Sequence, residues 1–149
     1  MNILNEIDKY EDSTVLPAVN IRNTGEYKWA DWIVDGKKTI ETRQYLKTNS
    51  KGQLTPLVGK GPIKIIRTGE GKAQVIGEAE FGKPIFYETK EQFDADYDKH
   101  LVKDDSAFAY SEGGKWGYPV TNPKRYEQPY EAPHPRGMIF TWKVDGPRS

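Results

Sequence analysis

The chain has 149 residues, and its 22 lysines and arginines balance 22 aspartates and glutamates to a formal net charge of zero. That length is enough for one domain with its own core, and 12% aromatic residues exclude a disordered chain. With no cysteine and only two histidines, His100 and His134, the sequence excludes disulfides, thiolate metal sites and a cysteine nucleophile, and no metal or cofactor is expected.

Residues 1–13 are acidic and lack the basic and apolar regions of a signal peptide. No apolar run reaches the roughly 18–20 residues of a membrane span. The expectation is a cytoplasmic, single domain over residues 1–149, its core at about 15–144, with no membrane partner. Residues 16–22 alternate as a strand, and Pro17 predicts an edge or a strand start. A short helix follows. Asn23 with Glu26 has capping-box spacing, Gly36 sits where a left-handed C-terminal residue belongs, and Trp29, Trp32 and Ile33 form one apolar face. Residues 38–45 alternate as a strand, with Lys38, Ile40 and Thr42 on one face and Thr39, Glu41 and Arg43 on the other.

Residues 47–62 read as a long loop rich in Gly, Pro, Ser, Asn and Lys. Strands at 63–68 and 73–81 are joined by a hairpin-type connection. Residues 89–102 predict a second helix, on the spacing of Phe93, Tyr97 and Leu101, with His100 on its surface and a solvated acidic face that includes Asp94, Asp96 and Asp98. Closing strands are expected at 116–120 and 137–144, separated by a Pro- and Tyr-rich connection at 122–136 that contains His134. The order predicts an α+β fold, a small mixed sheet or barrel with two main helices.

The zero net charge is unevenly spread. Residues 1–36 carry a net −4, residues 37–72 a net +7 from nine basic and two acidic side chains, and residues 73–149 a net −3. A local excess of this sign suits an anionic ligand such as a phosphate backbone, or simply a solvated basic loop. The basic third opens on Gly36-Lys37-Lys38-Thr39-Ile40-Glu41-Thr42-Arg43. Here Lys38 and Arg43 can grip a phosphate or a carbonyl, while Glu41 orients Arg43 or accepts from a base edge. An edge strand decorated with charge accounts for the same residues. Downstream, Trp116, Tyr118, Tyr126 and Tyr130 interleave with Lys115, Lys124 and Arg125, a pattern shared by base-stacking surfaces and by ordinary strand packing. Glu78 and Glu80 are expected to pair with Arg43 or Arg67 across the sheet.

Residues 36–43 fill all four fixed positions of the pattern G-x-K-x-x-E-x-R, which resembles the signature of the ASCH family of the PUA-like superfamily. The tryptophan-bearing helix before it, residues 75–81, and the segments at 116–125 and 136–137 resemble that family's other elements, over roughly residues 15–144. The resemblance implies a curved, pseudo-β-barrel sheet with a cleft beside the first helix that takes RNA, another nucleic acid or a modified nucleoside. The expected nucleic-acid contacts are Lys37, Lys38, Thr39, Glu41, Arg43, Arg67, Tyr118, Lys124 and Arg125. Some relatives are hydrolases. In N4-acetylcytidine amidohydrolases a lysine and a threonine of the motif act with a glutamate of a later helix; Lys38 matches the lysine, and Glu41 occupies the threonine's position. A metal-independent ribonuclease is the other activity implied, with Lys38 and Tyr118 as acid and charge stabiliser. Lys38, Glu41 and Tyr118 are therefore the candidate catalytic residues.

Overall fold

A computed structural model of the chain describes residues 13–44, 58–133 and 140–149. Seven strands build one mixed, curved sheet: β1 (Leu16–Arg22), β2 (Ile40–Arg43), β3 (Ile63–Thr68), β4 (Gln74–Phe81), β5 (Ile85–Tyr87), β6 (Lys115–Glu131) and β7 (Phe140–Val144). Among the described residues three short helices accompany it: α1 (Trp29–Val34), α2 (Lys90–Ala95) and α3 (Tyr97–His100). The strands run in the order β2-β6-β4-β3-β1-β7, with β5 paired to β6 beside that path. Among the described strands β1 and β3 pair in parallel and the other pairings are antiparallel. The sheet curves without closing, so the α+β, barrel-like expectation holds with open ends. None of these helices is long and apolar enough to cross a membrane.

The core sits between α1 and the concave sheet. Trp29, Ala30, Ile33 and Val34 of α1 are buried and meet Val19, Ile21, Ile63, Ile65, Ile76 and Tyr118. Each buried large apolar side chain contributes on the order of 1.5–3 kcal/mol. The helix comes this close because Gly77 of β4 has no side chain: a Cβ there would lie 2.2 Å from the Lys124 carbonyl oxygen and 2.8 Å from Val34 Cγ1. Gly36 ends the helical turn at φ +79°, as its position in the sequence predicts.

Several expectations are corrected. The helix starts at Trp29 and Glu26 plays no capping part; Asn23 instead reaches across seven residues, its Oδ1 accepting from the Ala30 N–H at 2.9 Å while its Nδ2 donates to Asp31 at 2.6 Å. Of the two places expected for Pro17, β1 is no edge, because β3 and β7 flank it, but Pro17 does sit at the strand's start, where the β1–β7 register shifts between Leu16 and Ala18. The second helix is broken at Asp96 into α2 and α3, with a true capping box at Thr89 and Gln92. Strand β5 was not anticipated; its three residues are too short for a periodicity signal. Residues 122–131 are not a connection but the second half of the 17-residue β6, which pairs first with β2 and then with β4. Its prolines sit in a strand that changes partners with register shifts, where pairing is interrupted. His134, most of the 47–62 loop and residues 137–139 lie outside the described residues.

Candidate functional site

The motif is assembled by three elements. Gly36 turns the chain out of α1, and the backbone N–H groups of Lys37 and Lys38 both donate to the Trp32 carbonyl at 2.8 and 2.9 Å. Lys38 therefore precedes β2, which starts at Ile40. Strand alternation does not apply to it, and the face assignment that separates Lys38 from Glu41 is corrected: Lys38 Nζ lies 3.8 Å from Glu41 Oε1. Glu41 Oε2 in turn lies 3.3 Å from Arg43 Nη2. Lys38 is only 1% exposed, and its ammonium donates to the His100 carbonyl. Lys115, at the start of β6, is also buried and donates to the Phe108 carbonyl at 2.5 Å.

Burial pushes the Lys38 ammonium down to about 8; Arg43 and Lys115 add to that drop and Glu41 opposes it. Burial likewise lowers Lys115, again opposed by Glu41 and aided by Arg43. One buried carboxylate thus stands among three cations, and two of these, Lys38 and Arg43, line a small cleft of about 40 Å³. Ile21, Arg22, Trp29, Lys38, Glu41, Thr42, Arg43, Val102 and Phe108 line it. Thr42, assigned to the Lys38 face by alternation, shares this cleft with Glu41. Phe108 packs edge-on against Trp29 at 5.1 Å between ring centroids, and Tyr27 stacks on Trp29 at 4.9 Å. The buried indole N–H of Trp29 has no hydrogen-bond partner among the described residues. A buried donor of this kind is costly until an acceptor reaches it.

His100 corrects the expectation of a surface residue. It is fully buried and stacks on Phe93 at 3.9 Å. Its Nδ1 accepts from the Val102 N–H at 3.0 Å, so the proton sits on Nε2, which is 2.6 Å from the Phe93 carbonyl. Burial lowers its pKa. The imidazole thereby shapes the turn at Leu101, φ +61°, whose preceding carbonyl receives Lys38.

The other expected site residues scatter. Tyr118 is opposite Glu41 in the β2–β6 register yet fully buried in the main core, and it does not line the cleft. Lys37 is exposed, with its ammonium over the Trp32 ring at 4.4 Å, and Thr39 is an exposed residue whose backbone joins Lys99 and Val120. Arg67 donates to Gln74 at 2.7 Å and faces Asp31 and Glu70, while Arg125 clamps Asp31 and Asp35. Lys124 is exposed on β6, opposite Glu78. Tyr126 is core, so the aromatic and cationic interleaving there is mostly packing. Glu78 pairs with Arg148 and Tyr126, not with Arg43 or Arg67, and Glu80 accepts from Asn122. Sequence reasoning missed Arg22 and Phe108, which lie outside any motif; His100 carried one signal, its spacing of seven from Phe93. Among the described residues no three His, Asp or Glu side chains group as metal ligands.

The open curved sheet with the helix laid across it forms an α+β domain that shares the fold of solved ASCH structures. Solved structures carry this fold assignment. The chain is similar to ASCH from Zymomonas mobilis, with a TM-score of 0.61 and 17% identity, over 85% of this chain and 85% of that one. A tyrosine-to-phenylalanine variant of the same protein matches at 0.61 and 17%, over 85% and 88%, and a serine-to-alanine variant at 0.57 and 16%, over 85% and 86%. No family model and no curated protein matches the sequence.

Proposed function

We propose that the chain is a nucleic-acid-binding domain that takes RNA or a modified nucleotide in the cleft around Lys38, Glu41 and Arg43. The observation that carries this reading is the buried Glu41 carboxylate ringed by Lys38, Arg43 and Lys115 at the edge of a cleft walled by Trp29 and Phe108. Excess positive charge in a partly desolvated cleft attracts an anion, and aromatic walls suit an unpaired base. Lys38 acts from the cleft floor, through its field, since its ammonium is already committed to the His100 carbonyl. Arg43, half-buried, is the residue placed to touch phosphate.

Lys38→Ala is expected to weaken binding of a labelled single-stranded RNA about tenfold and to lower the slope of log affinity against log salt by up to about 1. Fluorescence anisotropy across a salt series reads both. Unchanged affinity in a variant with an unchanged melting curve rejects the reading.

A hydrolase of the same fold is the second reading, favoured by one feature: an ammonium tuned to about 8 beside a carboxylate at 3.8 Å is poised for proton transfer near neutral pH. A metal-independent ribonuclease is one form of this reading; an N4-acylcytidine amidohydrolase is the other, and it requires a nucleophile other than the motif threonine, whose position Glu41 holds. Incubation with total RNA and with N4-acetylcytidine, in chelator, separates the readings: turnover lost in Lys38→Ala selects the enzyme.

A further inference from the structure

One short segment ties the motif down. The His100 carbonyl accepts from the Lys38 ammonium, and the neighbouring Lys99 carbonyl accepts from the Thr39 N–H at 2.9 Å. Both carbonyls belong to α3, a single turn that ends on Leu101 at φ +61°. A leucine in the left-handed region is strained and persists only where its surroundings hold it. Here the His100 ring does so. Its Nδ1 accepts from the Val102 N–H at 3.0 Å, its Nε2–H donates to the Phe93 carbonyl at 2.6 Å, and the ring is fully buried, stacked on Phe93. Val102 lines the cleft together with Lys38.

We infer that His100 is a proton-operated latch on Lys38: the neutral ring clips the Val102 N–H and fixes the carbonyls that hold the motif, and an imidazolium lets them go. The reason lies in the hydrogen bonds. A protonated ring carries an N–H on both nitrogens, so Nδ1 then points a proton at the Val102 N–H, two donors 3.0 Å apart in a buried place. The charged neighbours divide. Lys38, on the turn after α1, disfavours a second positive charge, whereas Asp94 of α2 and Asp96 at its end favour one. Tyr87 of β5 and Tyr97 of α3 meet the ring edge-on at 6.3 and 6.0 Å, and Tyr110 packs against Phe93; phenols carry no charge in acid. Burial outweighs the two carboxylates and holds the imidazole below its ordinary value. Once the segment opens, the ring titrates as a free histidine does, near 6.5. The open state thus takes a proton that the closed state refuses, and opening is favoured about tenfold for each pH unit below about 6.5. This holds whatever the cleft binds.

The test is amide hydrogen exchange of the full chain by NMR between about pH 5 and 7, above the ordinary carboxylate range, with protection corrected for the intrinsic rate at each pH. The Val102 and Thr39 amides should lose protection in parallel, about tenfold per unit below about 6.5. The Lys38 amide, which donates to the Trp32 carbonyl on α1, should keep its protection and so separates the latch from global acid unfolding. His100→Asn retains a side-chain oxygen for the Val102 N–H but cannot gain a proton there, and its Val102 protection should be flat with pH. Should that variant fold poorly, the wild-type ring titration decides, with His134→Gln to assign the two histidine signals: His100 should take its proton only as Val102 and Thr39 open. Protection of Val102 and Thr39 that is flat in wild type overturns the latch. So does a loss shared equally by the Lys38 amide, or a His100 ring that titrates near 6.5 while Val102 and Thr39 stay protected.

Discussion

Lys38 is held where burial and anion attraction oppose each other, and this gives its pH behaviour a sign. Its ammonium titrates at about 8 in the folded chain, against 10.5 for an unhindered lysine, with Glu41, Arg43 and Lys115 as the charged neighbours. On the proposed nucleic-acid reading, RNA affinity should therefore be flat in neutral solution and fall as pH rises through about 8, a loss absent in Lys38→Met. Folding responds oppositely. Between about 8 and 10.5 the unfolded chain holds a proton on Lys38 that the folded chain does not, so this residue's contribution to stability rises with pH across that window. Urea titrations of wild type and Lys38→Met at stepped pH read the difference, and a wild-type slope no steeper than the variant's rejects the assignment. The spacing of Lys38, Glu41 and Arg43 was legible in the sequence. Their convergence was not, because alternation assumes that a strand begins at Lys38, whereas the turn after α1 still governs that residue.

Among the elements, α1 and β6 decide where the cleft lies. The apolar spacing of α1 was plain in the sequence, but its docking depends on Gly77, 43 residues beyond Val34. Gly77→Ala is expected to cost about 1–3 kcal/mol, the usual price of overpacking, because neither the Lys124 carbonyl nor Val34 can move aside without disturbing β6 or α1. A shift of the urea midpoint reads it, and an unchanged midpoint means that α1 yields. Strand β6 was read as a strand and a loop because prolines and exposed residues break its periodicity. It extends across both because β2 and then β4 supply partners, and local propensity yields to that pairing.

Across the whole molecule, remote residues pin the sheet together. Arg148 donates to both Glu78 oxygens at 2.8 Å, Tyr126 donates to the same carboxylate at 2.8 Å, and buried Lys64 donates to the carbonyls of Thr14, Val144 and Gly146. Burial raises the Glu78 carboxyl, and Arg148 and Tyr126 more than offset this to hold it below the ordinary range. Its stabilising effect is complete above the unfolded-state value and lost as pH falls through the lower folded value. Arg148→Ala leaves that carboxylate buried without its cation, at a cost of about 3 kcal/mol, and should move acid unfolding to higher pH. Circular dichroism during acid titration checks this; coincident curves for wild type and variant reject it.

Composition, local spacing and the G-x-K-x-x-E-x-R segment were enough to determine an α+β chain, its tryptophan-bearing helix, most of its strands and a basic region that opens on Lys37. Those properties depend on neighbours a few residues apart. The balance of 22 against 22 charges hides the rest. Arg22, Arg43 and Lys115 come from three different strands, and only the sheet brings them to one groove. The burial of Tyr118 and His100 was likewise decided by the tertiary structure, since whether a side chain meets water depends on elements far away in the chain.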